Sequence, residues 1–151
     1  MDAALEMAES GHLVIGTMHT RSCSETIDRL IGFYDYSDQL TIKYIVSSVL
    51  KAVISQRLIR GVYGTLIMVP EIMIVDDVIS GYIRKEKFSK SEIEDAIQSR
   101  FDKGNMSLLN ALANVVISGK ISLAEAKLQL DEKSYEMLDR TIKQVKGKTA
   151  N

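Results

Sequence analysis

The chain has 151 residues, of which 46% are hydrophobic and 26% charged, the composition of one ordinary globular domain. Nineteen basic and twenty acidic residues leave a net charge of −1, so no overall field attracts nucleic acid, an anionic membrane or an acidic substrate. The single cysteine excludes an internal disulfide and favours a reducing, cytoplasmic compartment. We expect neither a signal peptide nor a membrane span, because the start has no basic region and every apolar run is short.

The first elements are predicted to be a helix, a buried strand and a second helix. Residues 2 to 10 are good helix formers, and Gly11 can take the left-handed conformation that ends a helix. Residues 13 to 15 (LVI) follow without alternation, which predicts a central strand covered on both faces, as in a parallel sheet. Ser22 or Ser24 can then cap a helix with apolar residues at helical spacing. This order is typical of an α/β fold.

The middle of the chain is predicted to form a long helix and a β-hairpin. Asp38 opens a segment with apolar residues at steps of three and four, as far as residue 54, and it passes into a strand near residues 55 to 60. Residues 61 to 64 (GVYG) are the predicted turn before the β-rich stretch 65 to 75, in which Pro70 lies at an edge or a bulge.

Beyond residue 76 the sequence predicts only helices. They are expected over residues 77 to 85, 91 to 100, 106 to 118 and 131 to 146. A capping box formed by Ser122 and Glu125 starts one more helix. We therefore divide the chain into a strand-bearing α/β core, residues 1 to 76, and a helical C-terminal region, residues 77 to 151.

No complete catalytic motif is found. The chain has no GxxxxGK[ST] phosphate loop, no GxSxG elbow and no HExxH or paired-cysteine motif, so we assign no catalytic residue and no metal ligand. His12 and His19 are seven residues apart, on opposite faces of a strand, which does not make a metal pair. A lone histidine is more often structural. However, Thr17, His19 and Thr20 follow the predicted strand, where open parallel sheets bind ligands.

Other polar residues have both a functional and a structural interpretation. Glu25, Asp28 and Arg29 form either a binding surface or a solvated helix face with acids that complement the helix dipole. Arg57 is equally consistent with a phosphate ligand and with the polar edge of the hairpin. A nucleophilic Cys23 would need a histidine nearby in space and a third group to orient it, and we disfavour that interpretation.

Two segments carry a specific resemblance. ALEMAESGHLVIGTMHTRSCSETIDRLIGFY, followed by VLKAVISQRLI, closely resembles the secretion ATPase superfamily and, within it, the PilT-type motors that retract type IV pili. The family pattern is A-x-x-A-E-T-G-H-L-V-x-x-T-L-H-T-x-x-A-x-x-T-I-D-R and then V-I-S-Q-x-L. The resemblance is dense over residues 3 to 60 and weaker but continuous beyond them, through VPEIMIVDDVISGYIRKEK and GNMSLLNALANVVISGKIS.

The resemblance implies a partial RecA-like (P-loop NTPase) core, the C-terminal half of that fold, followed by a helical C-terminal region. It implies ATP and magnesium in the intact protein, bound between the protomers of a homo-oligomer, usually a hexameric ring. The implied partner is the inner-membrane platform of a pilus or secretion system rather than nucleic acid. The implied location is cytoplasmic and peripheral to the inner membrane.

The resemblance also assigns roles to particular residues. His12 and His19 match the family's histidine box, which with Thr17 and Thr20 would sense the nucleotide phosphate. A switch or inter-subunit surface would comprise Glu25, Asp28, Arg29 and Arg57. The family's A-I-R-N-L-I segment, linked to retraction, corresponds to Val78, Ile79, Ser80, Gly81, Tyr82 and Ile83. Here Ser80 replaces the arginine and Gly81 the asparagine, which counts against retraction, whereas the lack of a four-cysteine zinc element after QRL favours the retraction branch.

The P-loop and the strand bearing the catalytic glutamate precede A-E-T-G-H in the family, and neither is found in these 151 residues. We therefore expect this chain alone to hold no nucleotide tightly and to hydrolyse no ATP. Two functions stay open. One is the C-terminal portion of a PilT-like motor ATPase, which couples ATP hydrolysis to pilus dynamics in the intact protein. The other is a non-catalytic regulatory or assembly subunit, derived from such an ATPase, that binds a full-length motor.

Overall fold

A computed structural model of the chain describes residues 2 to 149, with side chains as far as residue 144. The helices and strands are, in chain order, α1 (Asp2–Glu9), α2 (Cys23–Gly32), α3 (Gln39–Val49), β1 (Ala52–Arg60), β2 (Leu66–Ile74), α4 (Asp77–Arg84), α5 (Lys90–Ser99), α6 (Leu108–Ile117), α7 (Leu123–Lys127) and α8 (Tyr135–Thr149). The secondary structure is α/β as predicted, and within residues 2 to 149 the sheet is the two-stranded hairpin of β1 and β2. No helix in this range is long and apolar enough to cross a membrane.

The residues fall into two compact units that are interleaved in sequence. The first comprises Met1–Ser55 and Ile72–Asn105, and the second comprises Gln56–Glu71 and Met106–Asn151. Each strand of the hairpin therefore contributes residues to both units. The units change after residues 55, 71 and 105, and none of these three boundaries coincides with the predicted division after residue 76. The assignment of residues 1 to 76 and 77 to 151 to two regions of the family's fold stays a prediction.

The core of the first unit is formed by one face each of α2, α3, α4 and α5, together with Met73 of β2. Its members share near-complete burial, and they are Cys23, Ile27, Ile31, Ile42, Val46, Met73, Ile79, Ile83, Ile93, Ala96 and Ile97. Pairs four residues apart, such as Ile79 and Ile83, lie on one face of a helix, which is why periodicity predicted α2, α4 and α5 correctly. Each fully buried isoleucine contributes about 1.5–3 kcal/mol.

The core of the second unit combines the turn end of the hairpin with α6, α7 and α8. Its buried members are Ile59, Val69, Leu109, Ala111, Leu112, Ala113, Ile121, Ala126 and Leu138. Gly61 begins the predicted turn, where its N–H donates to the carbonyl oxygen of Thr65 at 2.7 Å. A Cβ at position 61 would lie 2.9 Å from Ile67 Cγ1 and 3.0 Å from the Thr65 carbonyl oxygen, so only glycine fits.

Two predictions for the first 60 residues are wrong. Residues 12 to 20 form no strand in the structure, and the side chains of Leu13 and Ile15 are 84% and 86% exposed instead of buried. A strand needs a neighbour to pair with, and no strand among residues 2 to 149 pairs with this segment. The helix predicted to continue to residue 54 ends at Val49, because Leu50 adopts an extended conformation with φ −66° and ψ 125°.

Candidate functional site

The end of α1 fixes the backbone of His12. Gly11 has a φ of +92°, the left-handed conformation that the sequence predicts for it. The Gly11 N–H donates to the Ala8 carbonyl oxygen at 3.1 Å, and the His12 N–H donates to the Met7 carbonyl oxygen at 3.0 Å. These two bonds together are a Schellman motif, in which Ser10 is the C-cap residue and His12 is the second residue after it. The helix cap therefore sets where the segment carrying both histidines begins.

The ring of His12 is exposed but held by Ser10. The Ser10 hydroxyl donates to the Met7 carbonyl oxygen at 2.8 Å, and its oxygen lies 2.9 Å from His12 Nδ1. The serine, its partner carbonyl and the imidazole thus form a short hydrogen-bonded chain on the last turn of α1.

The other end of the segment is held by α2. Arg29 Nη1 donates to the carbonyl oxygen of His19 at 2.6 Å, a short bond because the donor is charged. The side chains of Thr17 and His19 are exposed, whereas Thr20 is half-buried. Residues 12 to 20 are therefore anchored at both ends. Between them Leu13, Ile15 and Thr17 are exposed, whereas Val14 and Met18 are half-buried.

Hydroxyl groups organise the start of α2. Ser22 is the N-cap, and its Oγ accepts the N–H of Glu25 at 3.1 Å. The Thr26 hydroxyl donates to the Ser22 carbonyl oxygen at 2.9 Å and lies 2.7 Å from Thr20 Oγ1. The Glu25 carboxylate accepts the backbone N–H of Arg21 at 2.9 Å. The sequence predicted the cap, but Thr26 carried no signal that it would reach Thr20.

The predicted charged group lines an open depression of about 520 Å³. Its walls are formed by Glu25, Asp28, Arg29, Gly32, Phe33 and Lys90. Asp28 and Lys90 are joined by an ion pair of 2.7 Å, with both side chains about half exposed. The hydrogen bond and the charge of Asp28 raise the pKa of Lys90. Sequence reasoning missed Lys90, because only the packing of α5 against α2 brings it to the depression.

Two predicted residues have partners that limit their roles. Cys23 is fully buried and its thiol donates to the Val53 carbonyl oxygen at 3.5 Å, the environment of a structural cysteine rather than a nucleophile. Arg57 belongs to the second unit, where its guanidinium donates to the Gln129 carbonyl oxygen at 2.9 Å. Glu25, Asp28 and Arg29 all belong to the first unit.

The segment matched to the retraction motif is α4. Asp76 caps it by accepting the N–H groups of Val78 and Ile79, both at 3.1 Å. Ser80 is buried and its hydroxyl donates to the Ser47 carbonyl oxygen on α3 at 2.7 Å, whereas Gly81 is exposed. The serine that replaces the family's arginine is therefore a packing residue in this chain.

No cluster of three or more histidine, cysteine, aspartate or glutamate side chains that could hold a metal ion is found among the described residues. The predicted polar residues that are accessible include Thr17 and His19 in the segment of residues 12 to 20 and the charged residues that line the depression. Exposed N–H and O–H donors at the end of a short segment are chemically suited to an anion.

The chain matches the family model of the type II/IV secretion system protein over residues 1–150. It belongs to this family. It is 36% identical over 124 residues to the type IV pilus retraction ATPase PilT of Pseudomonas aeruginosa. The matched stretch covers 82% of this chain and 36% of the relative. It is 30% identical over 125 residues to a twitching motility protein of Neisseria gonorrhoeae, covering 82% of this chain and 33% of that one. The predicted resemblance to PilT-like secretion ATPases is confirmed.

Parts of two solved ATPase structures superpose on the chain. The crystal structure of the pilus retraction motor PilT with bound ADP superposes with a TM-score of 0.75 and 28% identity, over 90% of this chain and 38% of that one. The ATPase DotB of Legionella pneumophila superposes with a TM-score of 0.69 at 23% identity, over 84% of this chain and 34% of that one, which shows the fold alone. The chain thus spans about a third of the length of these family members.

Proposed function

We propose that these residues are the C-terminal portion of a PilT-like type II/IV secretion motor ATPase, with a partial RecA-like core, in which ATP hydrolysis drives type IV pilus dynamics. The observation that carries the proposal is the segment of residues 12 to 20. It has a histidine near each end, is anchored to α1 and α2, and exposes most of its side chains in between, in a chain 36% identical to a retraction ATPase.

In this proposal His12, Thr17, His19 and Thr20 face the nucleotide. The groups that fit a phosphate are exposed donors, and His19 and Thr17 both carry one. An imidazole N–H that donates to a terminal phosphate oxygen loses its partner when that phosphate leaves. Because Arg29 holds the His19 carbonyl oxygen at 2.6 Å, a shift of His19 would pull directly on α2. ATP and magnesium supply the phosphoryl-transfer chemistry in the intact protein, and we expect this chain alone to bind neither tightly.

The remaining assignments follow from the same proposal. Glu25, Asp28 and Arg29 line an open depression beside the segment, which suits a switch or inter-subunit surface in a homo-oligomeric, usually hexameric, ring. Arg57, to which the resemblance gives a place on that surface, donates to the Gln129 carbonyl oxygen within the second unit, and we leave it out of the proposed surface. We assign α4, which holds residues 78 to 83, to the coupling of the motor to the pilus or secretion platform. We propose a cytoplasmic location, peripheral to the inner membrane, with no nucleic acid partner.

A chimera tests the proposal. The part of the Pseudomonas aeruginosa motor that matches this chain would be replaced by the corresponding residues of this chain, and ATP turnover and twitching would be measured. We expect turnover above that of the relative lacking its matched part. His19→Ala should lower turnover at least about tenfold, because a hydrogen bond to a charged group contributes about 1.5–3 kcal/mol. Tyr63→Ala, at a 90% exposed position in the second unit, is the matched control and should leave turnover unchanged.

The outcomes separate the motor from its alternative. A folded chimera that hydrolyses no ATP, or whose turnover is indifferent to His19→Ala, would refute the assignment of residues 12 to 20 to the nucleotide. If in addition the isolated chain bound the intact motor and changed its ATP turnover, the non-catalytic regulatory subunit would be the better description.

A further inference from the structure

We infer that Ser10 holds the ring proton of His12 on Nδ1, so that the neutral His12 offers Nε2 as a hydrogen-bond acceptor and not as a donor to phosphate. The two histidines of the segment would then have different ligands. His19 would take a phosphate oxygen, and His12 a hydrogen-bond donor such as a hydroxyl group or a water molecule. The position of the proton follows from the structure alone, whereas the ligands rest on the proposed function.

The proton can be assigned because Ser10 has only one. A carbonyl oxygen can only accept, so the 2.8 Å contact between Ser10 Oγ and the Met7 carbonyl oxygen uses the serine proton. That carbonyl has two lone pairs, and the other one accepts the His12 backbone N–H at 3.0 Å. The Ser10 oxygen is left to accept. Its contact of 2.9 Å with His12 Nδ1 is therefore a hydrogen bond in which the ring nitrogen donates.

The consequence for His12 follows from the chemistry of imidazole. A neutral imidazole carries a proton on one nitrogen and a lone pair on the other. With the proton on Nδ1, the lone pair lies on Nε2, where it would repel a phosphate oxygen and attract an O–H or N–H donor. Neutral His12 is thus unsuited to the phosphate, although it lies in the same exposed segment as His19.

The two threonines of the segment, Thr17 and Thr20, differ in whether their hydroxyl proton is free. Thr26 gives its hydroxyl proton to the Ser22 carbonyl oxygen at 2.9 Å, so the 2.7 Å contact between Thr26 and Thr20 must use the proton of Thr20. Thr20 has then no proton left for a phosphate. Among residues 2 to 144, whose side chains the structure describes, no hydrogen bond engages the ring of His19 or the hydroxyl of Thr17. These two side chains remain the donors of the segment.

The experiment is nitrogen-15 NMR of the chain labelled at histidine, using long-range ¹H–¹⁵N correlations at about pH 8.5, where an imidazole is ordinarily neutral. The sequence has only two histidines, so one His12→Gln sample assigns both rings. We expect His12 in the Nδ1–H form. Ser10→Ala should lower the ratio of Nδ1–H to Nε2–H roughly fivefold, the equivalent of one hydrogen bond of about 1 kcal/mol.

Ser10→Thr is the conservative control, because threonine keeps a hydroxyl at this position, and it should keep the Nδ1–H form. The tautomer of His19 should be the same in all three proteins. An Nε2–H form of His12 in the unmodified chain, or an unchanged ratio in Ser10→Ala, would overturn the inference. If Ser10→Ala disturbed α1, the unmodified chain and Ser10→Thr would still decide it.

A second measurement tests the ligand of His12. Solid-state NMR of the labelled chimera with magnesium and a non-hydrolysable ATP analogue should show His12 still in the Nδ1–H form. A change to Nε2–H when the analogue binds would show that His12 donates to phosphate and would refute its assignment as an acceptor. Failure of the proposed function would appear differently, as a chimera without ATP turnover whose His12 tautomer in the isolated chain is nevertheless as expected.

Discussion

Replacing Asp76 with asparagine tests how the start of α4 is held. One carboxylate oxygen accepts the N–H groups of Val78 and Ile79 at 3.1 Å, and the other accepts Arg100 Nε at 2.7 Å and Arg100 Nη2. Asparagine keeps one oxygen that can cap the helix but removes the negative charge, so Asp76→Asn tests what the charge of Asp76 contributes. Asp76→Ala removes the ion pair and the cap together.

The magnitude follows from the burial of the pair. The side chains of Asp76 and Arg100 are 26% and 28% exposed, so the ion pair is only partly buried. An exposed surface pair contributes about 0–1 kcal/mol to stability and a charged hydrogen bond about 1.5–3 kcal/mol, and we expect a contribution between the two. We expect Asp76→Asn to lower the free energy of unfolding at pH 7 by about 1 kcal/mol. Asp76→Ala should lower it by about 2 kcal/mol, because loss of an N-cap costs about 1 kcal/mol more.

The effect should depend on pH. Burial raises the pKa of Asp76, but the backbone N–H of Ile79 and the Arg100 guanidinium outweigh it, and the net pKa lies below the ordinary value of 3.8. A carboxyl whose pKa is lower in the folded state stabilises the fold above its unfolded pKa, and this contribution is lost as the pH falls through the folded pKa. The stability gap between the unmodified chain and Asp76→Asn should therefore be complete at pH 7 and close in strong acid.

Urea unfolding followed by circular dichroism at several pH values measures this gap. A double-mutant cycle with Arg100→Gln isolates the pair, and we expect the two substitutions to be less than additive at pH 7. A gap that stays constant from pH 7 into acid, or strict additivity with Arg100→Gln, would refute the reasoning that the charge of Asp76 stabilises α4.

Four further substitutions should change the free energy of unfolding measured in urea. Gly81→Ala should raise the free energy of unfolding by about 0.5–1 kcal/mol, because Gly81 is an exposed helical glycine with open space at its Cβ position. Gly61→Ala should lower it by about 1–3 kcal/mol, because a Cβ at position 61 would make close contacts. An equal effect at both sites would contradict this prediction. Ser80→Arg should lower the free energy of unfolding by about 3 kcal/mol or more, because a guanidinium would replace the buried hydroxyl that donates to the Ser47 carbonyl oxygen. Unchanged stability would show that α4 has room for an arginine. Lys43→Met should lower the free energy of unfolding by about 1–3 kcal/mol, because the buried ammonium donates to two carbonyl oxygens just beyond α4, at 2.7 and 3.3 Å. Unchanged stability would show that water takes the place of the ammonium at these carbonyl oxygens.

The sequence predicted the helices and their caps well because both depend on residues close together in the chain. Ser22 and Ser122 each accept the N–H three residues on, and Gly11 ends α1 in the left-handed conformation. The hairpin was predicted for the same reason, since GVYG separates two β-rich stretches. These features need only the local chain, so they can be inferred without knowing what packs against them.

The candidate site was predicted only in part. The sequence singled out both histidines and the charged residues at the start of α2, and the structure gathers the latter around one depression. It did not indicate that Ser10 would contact the His12 ring or that Arg29 would hold the His19 carbonyl oxygen. Such contacts depend on side-chain direction at a helix end, which periodicity does not report. The phosphate-sensing roles themselves stay predictions.

The sequence by itself determined the family, the α/β secondary structure, the helix ends and the identity of the candidate polar residues, because motif and periodicity are properties of the chain order. Only the tertiary structure decided that Leu13 and Ile15 are exposed, that Ser80 is buried against Ser47, and that Lys90 joins Asp28. Burial and pairing depend on which distant segments meet. An apolar run such as residues 13 to 15 has the same sequence whether neighbouring strands bury it or solvent surrounds it, so the sequence alone does not determine its burial.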